Sequence, residues 1–390
     1  MLNIVFVSEM KDMKVDASST QIMTYNLLYG LKDAGHNVTF LAVCNDACDT
    51  ESVISDFVSI VGKIICVPSA MNLLSKQRNM LDKYVVQYKY AFFTSWYCKQ
   101  IDNLGLDGHY DVILTHLPAI ESAYYANVLK HKYIEAKYIQ YWSDPYARSG
   151  LTAAEKLPAK RYVMRLLENR ILKQADEIVY GTSLLKETQA NEYPKIAREM
   201  RSCDVSYNVY TSETDKSSVF NDDKPIIGYV GGYHSTYRNI DPLYKTFCDH
   251  PELGNLVLCG YSDVHRDEKE NIRIIAQCSP QRALGIEEQL DIHVCLLNKT
   301  MSQIPGKIFY QSNSGKPILI ILDGPDKNPI RKYLQKFDRF EFAGNSEAEI
   351  YDALKRIIQN RRSKDINSPY QLAPIRFAQS VIGEYAGNLT

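Results

Sequence analysis

The sequence predicts an α/β protein built from two Rossmann-like domains. Three observations carry that prediction. Short runs of consecutive apolar residues alternate with helical stretches, the pattern of parallel strands buried on both faces. The alternation breaks once, at the polar stretch TSETDKSSVFNDDKP, and then restarts. The chain has 390 residues, beyond the roughly 250–300 that one core fills. We therefore expect an N-terminal domain over 1–208, a linker at 209–224, a C-terminal domain over 225–368, and a last helix over 369–390 that packs on either half.

In the first half, Asn3–Ser8 is a buried-type strand. Ser19–Lys32 is helical, with Ile22, Leu27, Leu28 and Leu31 on one face, and Gly35 stops it. Val38–Val43 and Ile64–Val67 are the next strands. Lys76–Ile101 is a long, Tyr-rich helical stretch. Asp111–His116 and Tyr138–Tyr141 are strands that end in polar residues, the second running into Trp142-Ser143-Asp144-Pro145. Arg161–Ala175 is helical, and Glu177–Gly181 is a strand. In the second half the strand candidates are Ile226–Val230, Leu256–Cys259, Ile272–Ala276, Ile292–Leu297, Ile318–Leu322 and Phe340–Ala343. Helices fill the gaps, the clearest over Ser346–Gln359.

Composition narrows the function classes. Hydrophobic residues make up 45% and charged residues 23%, as in ordinary soluble globular proteins. The formal net charge of −1 provides no global attraction to nucleic acid or to an anionic membrane. MLNIVFVSE runs straight into a strand, so we expect no secretory signal. No apolar run approaches the ~20 residues needed to span a bilayer. The nine cysteines are scattered, without a Cys-x-x-Cys pair. Several lie in apolar strands, which points to a reducing cytosol and away from a disulfide scaffold or a zinc site.

Two stretches of the second half carry candidate chemistry. In Gly228-Tyr229-Val230-Gly231-Gly232 a strand ends in two glycines, and Arg238 follows six residues after the second. Glycines let a ligand approach the backbone, and a forked guanidinium matches phosphate oxygens. A Gly turn beside a solvated Arg is the plain alternative. Further on, Pro305-Gly306-Lys307 opens a short helix after the strand Ile292–Leu297. A helix start leaves N–H groups unpaired and aimed at an anion such as a diphosphate, Gly306 permits close approach, and Lys307 adds a cation. An ordinary βαβ unit without ligand is again the alternative.

Taken in order, NIVFVS, GLKDAGHNVTFLAV, DVILTH, ADEIVYGTS, IIGYVGG…RNIDPL, NLVLCG and PGKIFYQSNSGKPILI resemble segments of the GT-B glycosyltransferases, most closely the family 4-like group. The resemblance covers essentially the whole chain. It implies two Rossmann-like domains facing across a central cleft, the donor on the C-terminal half and the acceptor on the N-terminal half. It also implies transfer of a sugar from a UDP- or GDP-sugar, with retention of configuration and without metal or other cofactor. The donor diphosphate would meet Gly231, Gly232, Arg238, Pro305, Gly306 and Lys307. Members of the group often carry a cation at the position of Gly232, so here the first of two cations is missing and the second is kept as Arg238. Their paired glutamates would fall on Ser302 and Tyr310, which can still hydrogen-bond hydroxyls but carry no carboxylate.

On the acceptor side, His116 matches a family histidine near the reacting carbon, and a near-neutral pKa would suit it to proton transfer. Asp144 would bind acceptor hydroxyls or serve as base in an inverting enzyme, though Asp-Pro is also a turn signal. Ser18 and Ser19 stand where the family has a glycine-rich loop, and serine is also a plain helix cap. The basic helical segment Lys156–Lys173 either packs its Val163/Leu166/Leu167/Ile171 face on the sheet or rests on anionic lipid. The expected setting is the cytoplasm, with peripheral contact at the inner face of the membrane, a glycan or lipid-linked acceptor, and no nucleic acid. The missing carboxylates motivate an alternative, a non-catalytic nucleotide-sugar-binding or partner subunit.

Overall fold

A computed structural model describes residues 1–11, 13, 18–44, 50–70, 94–106, 108–147, 158–211, 213–299, 303–360 and 367–383. The chain divides into two compact units. Unit 1 comprises Met1–Val205 and Pro374–Thr390, and unit 2 comprises Ser206–Ala373.

Unit 1 is built on seven parallel strands: β1 (Asn3–Glu9), β2 (Asn37–Cys44), β3 (Lys63–Pro68), β4 (Val112–Leu117), β5 (Lys137–Trp142), β6 (Glu177–Tyr180) and β7 (Met200–Ser202). Their order is β3-β2-β1-β4-β5-β6-β7. The helices are α1 (Ser19–Asp33), α2 (Thr50–Phe57), α3 (Thr94–Asp102), α4 (Ile120–Lys132), α5 (Pro158–Leu172) and α6 (Ser183–Glu192). Ile4, Val5, Phe6 and Val7 are all buried, because successive strand side chains point to opposite faces and both faces are covered. Tyr97, Tyr125 and Tyr138 pack with Val5, Leu41 and Ile113, so much of the Tyr content is core. The pair α6 and β7 escaped the sequence pattern, because three-residue β7 is too short to show a periodicity. Of the long helix expected over Lys76–Ile101, residues 71–93 lie outside the described residues, and α3 covers the rest.

Unit 2 is built on six parallel strands: β8 (Ile226–Val230), β9 (Asn255–Cys259), β10 (Ile272–Ile275), β11 (Ile292–Leu296), β12 (Ile318–Leu322) and β13 (Glu341–Gly344). Their order is β10-β9-β8-β11-β12-β13. Its helices are α7 (Asp241–Asp249), α8 (Pro280–Gln289), α9 (Lys307–Tyr310), α10 (Lys327–Gln335) and α11 (Glu347–Asn360). Leu243, Phe247, Ile350 and Leu354 cover one face over Ile227, Leu256, Ile292 and Leu319. Each such side chain, fully buried, contributes roughly 1.5–3 kcal/mol. Residues 209–224, expected as a free connector, belong to unit 2. Val219 and Phe220 pack against a cluster of Val230, Val257, Ile286 and Leu290.

The last helix, α12 (Pro374–Ile382), lies in unit 1 and packs on α1. The approach is close at Gly30, where a Cβ would sit 2.0 Å from the Pro374 carbonyl oxygen. The two strand orders have the same form. The order reverses between β1 and β4 in unit 1 and between β8 and β11 in unit 2, the switch points where open α/β sheets bind ligands.

Candidate functional site

At the unit 2 switch point the chain leaves β8 through Gly231, whose φ of 153° suits glycine. Its N–H donates to the Cys259 carbonyl at 2.7 Å. Gly260 packs so tightly here that a Cβ would lie 2.3 Å from the Gly231 oxygen. The Gly232 carbonyl accepts from Tyr229 Oη at 2.9 Å and from Arg238 Nη1 at 3.1 Å. Arg238 Nε donates to Oδ1 of Asn298 at 2.8 Å. Asn298 is buried just past β11. The Arg238 guanidinium thus bridges the ends of the two strands that flank the switch point. The guanidinium also lies beside the Tyr229 hydroxyl and the ring of Tyr237. Asp323-Gly324 backs this site: Gly324 has φ 77° and lies against the Asn298 and Lys299 carbonyls.

Lys307 departs from expectation. Its Nζ donates to Glu287 Oε1 at 2.6 Å and also to the Val230 carbonyl. Burial opposes charge on this ammonium, but the Glu287 carboxylate, with Tyr229 and Cys295, holds its pKa above the ordinary lysine value. Lys307 is therefore a charged group at the end of β8, yet already neutralised by a partner on α8. Gln311 Nε2 donates to the same Glu287 oxygen at 3.1 Å.

The helix expected at Pro305 is one turn, α9, followed by the 3₁₀ turn Gln311–Asn313. Ile308 N–H bonds the Pro305 oxygen, and both Phe309 and Tyr310 N–H bond the Gly306 oxygen. So short an element has a small dipole and few open donors, and the anion site inferred from a helix start is correspondingly reduced. Tyr310 is buried. Ser302 lies outside the described residues.

Beside the Gly loop, at the C-terminal ends of β9 and β10, is a cavity of about 570 Å³. Tyr233, Gly260, Tyr261, Arg266, Ile275 and Gln277 are among its walls. Sequence reading missed it, because its residues come from three separate segments without a motif.

At the unit 1 switch point, His116 is wholly buried near the end of β4. Its Nδ1 lies 2.8 Å from Thr24 Oγ1 of α1, and that hydroxyl lies 3.1 Å from Ser8 Oγ of β1. Nε2 has no partner among the described residues. Burial lowers its pKa from 6.5 to about 3, so the near-neutral titration expected of His116 is not what this site provides. It is a neutral imidazole, able to donate or accept one hydrogen bond. Its ring packs against Tyr141, which in turn meets Phe377 of α12.

Asp144 follows β5, the strand beside β4, so both candidates sit at C-terminal strand ends. Burial raises its carboxyl from 3.8 to about 6, against a hydrogen bond from Ser143. The loop that carries it is tied down by Glu168 of α5, which sequence reading also missed. The Glu168 carboxylate accepts from Tyr146 N–H at 2.8 Å, Ala147 N–H at 3.2 Å and Tyr193 Oη at 2.7 Å. An available signal was its spacing, one residue after Leu167 and three before Ile171, which puts an acid on the core side of the helix. Ser18 is the N-cap residue of α1, but its side chain makes no cap hydrogen bond, and Ser19 is exposed.

No family model matches the chain, and no curated protein matches its sequence. Solved structures do match its fold. The glycotransferase of kitacinnamycin is 15% identical, with 100% of this chain and 98% of that one covered and a TM-score of 0.52. Arabidopsis thaliana UGT89C1, complexed with UDP-L-rhamnose, is 14% identical over 99% and 98%, with a TM-score of 0.52. A UDP-N-acetylglucosamine 2-epimerase is 14% identical over 100% and 98%, with a TM-score of 0.55. The likeness runs through both units and shows the fold, the two-domain α/β architecture called GT-B.

Proposed function

We propose that this chain is a glycosyltransferase of the family 4-like group, moving a sugar from a UDP- or GDP-sugar to an acceptor. The observation that carries the reading is Arg238, a half-buried guanidinium fixed across the unit 2 switch point beside Gly231 and Gly232. In this reading the donor diphosphate lies along Gly231 and Gly232 and over Pro305–Lys307, with its nucleoside in the neighbouring cavity against Tyr261. Arg238 stabilises the charge that grows on the leaving diphosphate, which is electrostatic catalysis that calls for no metal. Unit 1 takes the acceptor, a glycan or lipid-linked glycan of surface polysaccharide synthesis, near His116, Asp144, Ser18 and Ser19. Neutral His116 orients a hydroxyl. Retention of configuration asks no more of unit 1, whereas inversion would use Asp144 as the base. The setting is the cytoplasm, at the inner face of a membrane.

The test is transfer with a panel of UDP- and GDP-sugars, followed by mass spectrometry of the products, with Arg238→Ala alongside. Unchanged transfer by that variant overturns the phosphate assignment. The likeness to a 2-epimerase supports a second reading, epimerisation of the donor itself. That activity needs no acceptor, so conversion of a UDP-sugar in an acceptor-free assay decides between the two.

A further inference from the structure

Two neighbouring strand exits of unit 2 each carry a cysteine. Cys259 is the last residue of β9, and Ile275, its register partner, is the last of β10. Cys278 follows three residues later, directly before Ser279, the N-cap of α8. The two Sγ atoms lie 3.5 Å apart. Val230, Val257, Ile286 and Leu290 form the apolar cluster around Cys259, and Cys278 packs against it. Cys259 is buried and Cys278 only partly so. Burial, and then the contact with Cys278, push the Cys259 thiol up to about 12. Cys259 is thus held as a thiol, and Cys278 is the member that solvent reaches.

We infer that Cys259 and Cys278 are a redox-active pair that hydrogen peroxide closes to a disulfide. The Cys278 thiolate attacks one peroxide oxygen, the O–O bond breaks, and hydroxide leaves and takes up a proton as water. Cys278 is then a sulfenic acid. The Cys259 sulfur attacks the Cys278 sulfur, the S–O bond breaks, and the departing hydroxide takes the Cys259 proton. Two thiols lose two hydrogens and two electrons, and the peroxide becomes two waters. The sulfurs close from 3.5 Å to the roughly 2.0 Å of a disulfide. Disulfides formed in reducing compartments are typically transient and redox-sensing, which agrees with reduced cysteines at rest. The bond also reaches the cavity beside the Gly loop. Cys259 precedes Gly260, and its carbonyl holds the Gly231 N–H at 2.7 Å. Cys278 follows Ile275, Ala276 and Gln277, which line the same cavity as Gly260. Oxidation therefore ties two wall segments of that cavity to each other. None of this depends on glycosyl transfer.

The experiment adds hydrogen peroxide stepwise to the reduced full chain, counts thiols in denaturant, and maps disulfides by peptide mass spectrometry. The wild type should first lose two of its nine thiols. It should give a linked Cys259–Cys278 peptide pair, two hydrogens lighter, that dithiothreitol restores. Cys278→Ser should keep Cys259 as a thiol under the same treatment, because its attacking partner is gone. Cys259→Ala should let Cys278 run on to the sulfinic acid. Amide hydrogens of 260–268 and 274–277 should exchange more slowly in the bridged wild type, and unchanged in treated Cys278→Ser. A bridge that maps to Cys44 and Cys66 instead would overturn the pairing. So would wild-type Cys278 recovered as sulfinic acid beside an intact Cys259 thiol. Unaltered exchange in the bridged protein would overturn the tie between the cavity walls.

Discussion

The two switch points of this molecule have the same topology and opposite chemistry. In unit 1 the polar groups between β1 and β4 are a hydroxyl, a hydroxyl and a neutral imidazole, linked Ser8–Thr24–His116 and closed to solvent. In unit 2 the groups between β8 and β11 are a guanidinium, an ammonium and a carboxylate, all partly open. The contrast teaches that strand order selects where ligands bind, while the residues that end the strands select the ligand's charge. On the proposed reading the charged groups of unit 2 face the anion of the donor, while the groups of unit 1 carry no charge.

The largest expected effect tests how far the unit 1 site depends on a carboxylate that touches no ligand. Glu168→Ala removes the acceptor for three hydrogen bonds, two of them to the loop behind Asp144. We expect a loss of roughly 3 kcal/mol from unit 1, since hydrogen bonds to charged groups contribute about 1.5–3 each and do not add fully. Both tryptophans, Trp96 and Trp142, lie in unit 1. Urea unfolding followed by tryptophan fluorescence therefore reports that unit directly. A midpoint equal to wild type would remove Glu168 from the account.

Next is the charge contrast itself. Arg238→Ala should weaken UDP or GDP binding by about tenfold to a hundredfold, the loss of one charge-assisted contact. His116→Asn should leave nucleotide affinity unchanged. Calorimetry on the two variants gives the comparison, and equal losses would show that the two switch points are not chemically distinct.

Acid should separate the units as well. His116 in unit 1 and His293 in unit 2 are both lowered by burial, from 6.5 to about 3, so each stays neutral when folded and protonates when unfolded. As pH falls below about 6.5, each costs about 1.4 kcal/mol per pH unit. Asp144 has the opposite sign. Its folded pKa of about 6 exceeds the ordinary 3.8, so its stabilisation is full below pH 3.8 and is lost as pH rises through 6. Between about pH 4 and 6 His116 and Asp144 offset each other within unit 1, where burial also raises Glu168 and lowers His36. In unit 2 His293 has no such counterweight among the described buried groups. Circular dichroism, which sees both units, should therefore lose signal at a higher pH than tryptophan fluorescence, which sees unit 1. Coincident acid transitions would refute this difference.

The fold was more legible in the sequence than the site, for a physical reason. Strands such as Ile226–Val230 and Ile318–Leu322 announce themselves, because a parallel strand buried on both faces is a continuous apolar run. The glycines at 231 and 232 and Arg238 were legible too, because a strand end followed by Gly and a cation leaves a local pattern. What pairs with what across the fold was not. Glu287 lies 20 residues before Lys307, and nothing in its surroundings on α8 marks it as the partner of that ammonium. His116 was read from its position, and its pKa depends on burial by β1, α1 and β5, which no local motif encodes.

The smallest effect bears most closely on the contrast, because it concerns how much positive charge unit 2 presents. Lys307 faces the end of β8 but is held by Glu287, so in the unliganded protein its charge is largely spent within the fold. Glu287→Gln keeps a hydrogen-bond acceptor for Lys307 and the size of the side chain while removing the opposing charge. The freed ammonium should then raise affinity for UDP or GDP by a few-fold, about 1 kcal/mol or less, since the pair is partly exposed and screened. Lys307→Gln, by contrast, should lower it, because Glu287 is then left facing the diphosphate. Opposite signs for the two variants in one titration would show that Glu287 limits the positive charge of the unit 2 site. Equal and negligible effects would place the diphosphate on Arg238 and the Gly231–Gly232 backbone alone.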